Sequence, residues 1–216
     1  MIDVGGTTIV VSGFPRSGTS SMMRVLQFAG FDILAAERHL NAVAESDPHG
    51  ILELENMAEF PNYTPEMTAN KAVKIVAPYI KLLPLDRPVK VIFMLREIAE
   101  IVASLVVQRT IWEQDPYTWI DKARRYIEST GVPMLPVHYS ELMKYPKSTI
   151  RRVSEFLGAT IDIEAAARAV DNKPREAARF DTKKVIKFGK DALFQSREDI
   201  LVMNDPSAES AYLGGE

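Results

Sequence analysis

Apolar and polar positions along this chain follow two alternating rhythms. Ile9, Val10 and Val11 form a continuous apolar run closed by Ser12-Gly13, the pattern of a short strand buried on both faces. From Met22 the period lengthens. Met22, Val25, Leu26 and Ala29 recur at helical spacing, and Gly30 stands where a helix stops. Phe31–Leu34 predicts a second strand, followed by a helix around 35–45 and the turn cluster Asp47-Pro48-His49-Gly50. Ala72–Val76 predicts a strand interrupted by Lys74 and closed by Pro78, the lysine either reaching the active-site rim or marking an edge strand. Val89–Leu95 predicts the second strong strand, ending on Arg96-Glu97, and the helix after it shows an apolar face of Ile98, Ile101, Val102 and Leu105.

The same rhythm continues to the end. Asp115-Pro116 supplies an N-cap and first helical residue, and Gly131 ends that helix. Met134–His138 predicts a strand, Pro146–Leu157 an amphipathic helix stopped by Gly158, and about 162–170 a shorter helix. A basic stretch (Lys173, Arg175, Arg179, Lys183, Lys184, Lys187) precedes a polar tail, about 204–216, expected to fray. Strand and helix in alternation predict an α/β fold of three layers, a central parallel sheet between helices, as one domain over 1–216. Ligands of such sheets bind at the carboxyl ends of the strands. Arg16, Arg96 and Tyr139 each follow a predicted strand end, so the three are expected on one rim.

Composition narrows the partners. The 216 residues carry a net charge of −3 and no cysteine. A general polyanion surface is not favoured, so nucleic acid is not the expected partner. Disulfides, thiolate metal sites and cysteine nucleophiles are excluded. No basic leader and no apolar run of ~20 residues is present, so the expectation is a cytoplasmic protein without a membrane span.

The chemistry concentrates in Gly13-Phe14-Pro15-Arg16-Ser17-Gly18-Thr19-Ser20. Strand, glycine-bracketed turn and helix start make an anion site, because the first helical turn has free N–H groups and a partial positive charge. The spacing Gly13-x4-Gly18-Thr19-Ser20 is close to the triphosphate-binding loop G-x4-G-K-[ST], but Thr19 occupies the lysine position and the cation sits inside the loop, at Arg16. The plain alternative is a tight strand-to-helix turn with an incidental arginine. A metal-dependent nucleotide hydrolase also needs a second apolar strand ending in Asp. Here that strand ends in Arg96, which pairs with a phosphate and holds no magnesium. Two separated phosphates handled without a metal are therefore expected. Glu97 as a metal ligand keeps a P-loop nucleotide kinase or phosphotransferase as the alternative.

These segments resemble the P-loop sulfotransferases, bacterial members included. Residues 13–20 are similar to that family's 5′-phosphosulfate loop. Val91–Ser104 is similar to its 3′-phosphate motif, an apolar strand, an arginine and a serine 104 − 96 = 8 positions on. Asp47-Pro48-His49-Gly50 with Glu53, His138-Tyr139-Ser140-Glu141-Leu142 and Phe156-Leu157-Gly158 are weaker matches. Glu97-Ile98 departs from the commoner Asp-Pro, Ser140 from the usual Glu, and no Arg-Lys-Gly segment is found.

The resemblance implies transfer of a sulfuryl group, without metal, from 3′-phosphoadenosine 5′-phosphosulfate (PAPS) to a hydroxyl or amine acceptor, leaving 3′-phosphoadenosine 5′-phosphate (PAP). By position, Arg16 falls on the bridging oxygen and 5′-phosphate. The N–H groups of Ser17, Gly18, Thr19 and Ser20 with the two hydroxyls cradle that phosphate. Arg96 and Ser104 hold the 3′-phosphate, and Tyr139 lies near the adenine. Glu53 and His49, in the irregular segment where the acceptor enters, are the candidate bases. The acceptor is a small molecule, glycan or peptide. A binding protein of the same fold without turnover is the third reading.

Overall fold

The computed structural model describes residues 2–36, 52–107 and 115–170. By their contacts these fall into two compact units. One takes Met1–Arg96 and Trp119–Asn172, and the other includes Glu97–Thr118.

The first unit is built on five parallel strands in the order β2-β3-β1-β4-β5. They are β1 Thr8–Gly13, β2 Asp32–Leu34, β3 Lys71–Lys74, β4 Val89–Leu95 and β5 Met134–His138. Every residue of β1 is buried, as expected of a central strand with helices on both faces. The strand period of two sorts its side chains. Ile9 and Val11 join Ala72, Ile92 and Met94 in one core cluster, whereas Val10 joins Val73, Val91 and Phe93 in the other.

The first face is covered by α1 (Thr19–Phe28), with α2 (Pro65–Thr68) elsewhere on the chain. Met22, Met23, Val25 and Leu26 of α1 pack on that face. Gly30, at φ 98°, ends α1: its N–H donates to Gln27 O and that of Phe31 to Leu26 O. These two bonds make a Schellman stop. The same face is shared by α5 (Tyr139–Lys144), α6 (Pro146–Leu157) and α7 (Ile163–Ala167), through Leu142, Ile150, Val153, Leu157 and Ala166. On the opposite face, Ala123 and Ile127 of α4 (Pro116–Thr130) pack with Phe60 and Ile80 from two 3₁₀ segments, Met57–Asn62 and Ala77–Leu82, and with Leu83 just after the second.

The second unit contains α3 (Ile98–Val107) and the start of α4. There Asp115 is the N-cap expected from Asp-Pro, its carboxylate accepting from the N–H groups of Tyr117 and Thr118.

The expected α/β architecture is therefore present. The second strand is one residue shorter than expected, and the third stops at Lys74 instead of Val76. From residue 37, the predicted helix around 35–45, the turn with His49, and the basic stretch 173–187 lie outside the described residues.

Candidate active site

The loop after β1 is shaped by close approaches that only glycine permits. A Cβ on Gly13, at φ 142°, would stand 2.5 Å from Ser17 Oγ and 2.6 Å from Met94 O. One on Gly18, at φ 99°, would stand 2.4 Å from Tyr139 Cδ2. Between them Arg16 adopts φ 72°, a left-handed conformation that costs a side-chain-bearing residue about 1–2 kcal/mol. Its carbonyl accepts from Arg96 Nη1 at 3.0 Å. The Arg96 guanidinium carbon also lies 4.4 Å from the centre of the Tyr139 ring, a cation–π distance. Arg16, Arg96 and Tyr139, which follow β1, β4 and β5, are thus brought together as their strand-end positions predict.

Helix α1 opens on this loop with Gly18 as its N-cap, no side-chain cap and no acidic residue in its first turn. Its start is therefore electropositive. Ser17 turns its own N–H onto Phe14 O at 3.0 Å, so the N–H cradle falls to the residues after it. The Ser17 hydroxyl is fully buried and has no hydrogen-bond partner among the described residues. Ser12 Oγ, at the end of β1, is in the same condition. Buried polar atoms without partners are uncommon, and here both lie where β1 runs into its loop.

A second group lies beside the loop. Lys74 ends β3, between β2 and β1, so it is not on an edge strand. It is only 2% exposed. Its Nζ donates to Ser20 Oγ at 3.0 Å and pairs with Glu53 Oε1 at 2.6 Å. Glu53 in turn lines a cavity of about 280 Å³ with Glu55, Asn56, Met57, Val76 and Tyr79. One ammonium therefore links the loop to the cavity. The sequence singled out Glu53 and left Lys74 open between the active-site rim and an edge strand. The only signal was a lysine inside an apolar strand.

The sulfotransferase domain family matches residues 6–194, most of the chain. The chain belongs to the sulfotransferase family. Among solved structures it is similar in fold to the mouse sulfotransferase SULT7A1, solved in complex with PAP. The identity is 11%, the match covers 99% of this chain and 90% of that one, and the TM-score is 0.51. Lower similarities are to the sulfotransferase domain of the Synechococcus PCC 7002 olefin synthase (16% identity, 97% and 88% covered, TM-score 0.45) and to STF9 of Mycobacterium avium (14%, 95% and 76%, 0.48). Comparison by sequence with curated proteins finds no match.

This sulfotransferase has residues that fit the family's anionic donor, PAPS. The uncapped start of α1 and the Ser17 hydroxyl, without a partner among the described residues, offer donors to a phosphate. Ser104 lies on α3, in the second unit. His49 lies outside the described residues. Among those described, no group of three or more His, Asp or Glu is placed to hold a metal ion, and no helix is long and apolar enough to cross a membrane.

Proposed function

We propose that this sulfotransferase holds PAPS across the ends of β1 and β4 and transfers its sulfuryl group to a small acceptor in the cavity beside Glu53. The single observation that carries this reading is the joining of the anion-binding turn to that cavity through Lys74, whose Nζ reaches both Ser20 and Glu53. The family match favours sulfuryl transfer over the kinase alternative.

PAPS, when bound, supplies the sulfuryl group and a nucleotide phosphate as leaving group. The chain's residues supply alignment and charge. The first-turn N–H groups of α1 and the Ser17, Thr19 and Ser20 hydroxyls hold the 5′-phosphate. Arg16 stabilises charge developing on the bridging oxygen. Arg96 holds the 3′-phosphate, and Tyr139 borders the adenine. Glu53 accepts the acceptor's proton at a carboxylate oxygen as the new S–O bond forms. Lys74 fixes the orientation of that carboxylate.

Calorimetry with PAP against ATP–magnesium tests the reading. Binding of PAP in the presence of EDTA is expected, tighter than that of ATP–magnesium. No PAP binding, with ATP–magnesium bound instead, would overturn it in favour of the kinase.

A further inference from the structure

The motif that Arg96 belongs to implies one task, contact with a 3′-phosphate. Its observed contacts point elsewhere as well. Arg96 Nη1 donates to the carbonyl of Arg16, 80 residues earlier in the chain and inside the 5′ loop. That carbonyl belongs to the residue at φ 72°, the loop's one side-chain-bearing residue in a left-handed conformation. The guanidinium also packs on Tyr139, and the Tyr139 ring in turn closes on Gly18, where a Cβ would meet it at 2.4 Å. The strained turn is therefore held at two successive points, its Arg16 carbonyl by Arg96 and its Gly18 backbone by the ring on which Arg96 rests.

We infer that Arg96 is also a positioning residue for the 5′-phosphate loop, setting the Arg16–Gly18 backbone through the Arg16 carbonyl and the Tyr139 ring. This rests on the sulfotransferase reading and adds a coupling to it. A left-handed arginine relaxes unless its surroundings over-determine it. Arg96 supplies a charge-assisted bond at that residue. A phosphate that fixes Arg96 from the 3′ side then also fixes the loop that binds the 5′ side. Such coupling is reciprocal, so each phosphate strengthens the hold on the other. Only a planar fork can stack on a ring and donate sideways to a carbonyl at once. Lysine carries the same charge without that shape.

The experiment compares wild type, Arg96→Ala and Arg96→Lys. Each is titrated with PAP and with adenosine 5′-monophosphate, which lacks the 3′-phosphate. Hydrogen exchange of the loop amides is followed without nucleotide. In both variants, affinity for the 5′-monophosphate is expected to fall about tenfold, the worth of one charge-assisted hydrogen bond. PAP affinity should fall further in Arg96→Ala, and exchange of the Ser17 amide, the turn N–H that is bonded to Phe14 O, should rise severalfold in both. Arg96→Lys is decisive, because it keeps the charge and differs only in shape. It also serves if Arg96→Ala does not fold. If Arg96→Lys binds the 5′-monophosphate within twofold of wild type and its loop exchange is unchanged, the positioning role is wrong. If wild type itself fails to bind PAP, the sulfotransferase reading fails instead.

Discussion

Lys74 Nζ lies 2.6 Å from Glu53 Oε1, and this pair joins a fully enclosed cation to a carboxylate on a cavity wall. The lysine side chain is 3% exposed and the glutamate 38%. An ammonium so enclosed needs its partners, because burial of an unpaired charge is costly. Glu53 is thereby given a fixed direction, which a general base requires.

Two substitutions separate the parts of this pair. Glu53→Gln keeps a hydrogen-bond acceptor for Lys74 but cannot take a proton. It is expected to lower kcat by about 10²–10⁴ while leaving PAP affinity within about threefold. Single-turnover transfer with PAPS and calorimetry with PAP measure the two. A Glu53→Gln enzyme that retains more than a tenth of its turnover removes Glu53 as the base. Lys74→Met removes the contacts with Ser20 and Glu53 together, and a loss of stability of about 1–3 kcal/mol is expected, at the low end because Glu53 reaches water. Chemical denaturation reads it.

Gly18→Ala tests the contact with Tyr139. The new methyl carbon would meet the ring at 2.4 Å, and the backbone stays at φ 99°. The conformation costs about 1–2 kcal/mol and the overpacking about 1–3 kcal/mol. Only the second share should be recovered when Tyr139→Leu is added. A Gly18→Ala protein as stable as wild type would show that the ring does not pack there.

Much of this arrangement was legible in the sequence, and the reasons for what was not are physical. The strands Val89–Leu95 and Met134–His138 and the helix Pro146–Leu157 have the bounds the pattern gives, because each is an apolar run or period bounded by a polar residue or a glycine. Strand order is invisible to such a pattern. Lys74 therefore read equally well as an edge residue or a rim residue, and only its partners Ser20 and Glu53 decide. The walls of the cavity escaped for another reason. Met57–Asn62 and Ala77–Leu82 are 3₁₀ segments containing Pro61 and Pro78, and so short a proline-containing segment has no helical period to recognise. The stacking of Arg96 on Tyr139 joins two motifs that the sequence set on one rim, but spacing alone says nothing of their touching.

Lys90→Met probes stability away from the site. Lys90 Nζ donates to Phe156 O at 2.8 Å and Leu157 O at 3.0 Å, the final carbonyls of α6, and lies 5.6 Å from the Phe156 ring centre. A cation at a helix C-terminus satisfies orphan acceptors and opposes the helix dipole. Its loss should cost about 1–2 kcal/mol, or a Tm lower by about 2–8 °C. PAP affinity should not change, since Lys90 pairs with Ile9, towards the amino ends of the strands. A drop in PAP affinity with Tm intact would contradict that placement.

Ser17→Ala reverses the usual direction of an active-site substitution. The Ser17 hydroxyl is buried without a partner among the described residues, so the folded chain bears the cost of desolvating it and gains no bond there in return. Replacing it by a methyl hydrogen should leave the ligand-free protein as stable as before or more stable by up to about 1 kcal/mol. The same change should weaken PAP about tenfold, the loss of one hydrogen bond to a phosphate. Denaturation without nucleotide and calorimetry with it measure the two effects on one variant. Stability falling by more than about 1 kcal/mol would mean that the hydroxyl serves the fold. PAP affinity holding at the wild-type value would mean that it does not serve the phosphate.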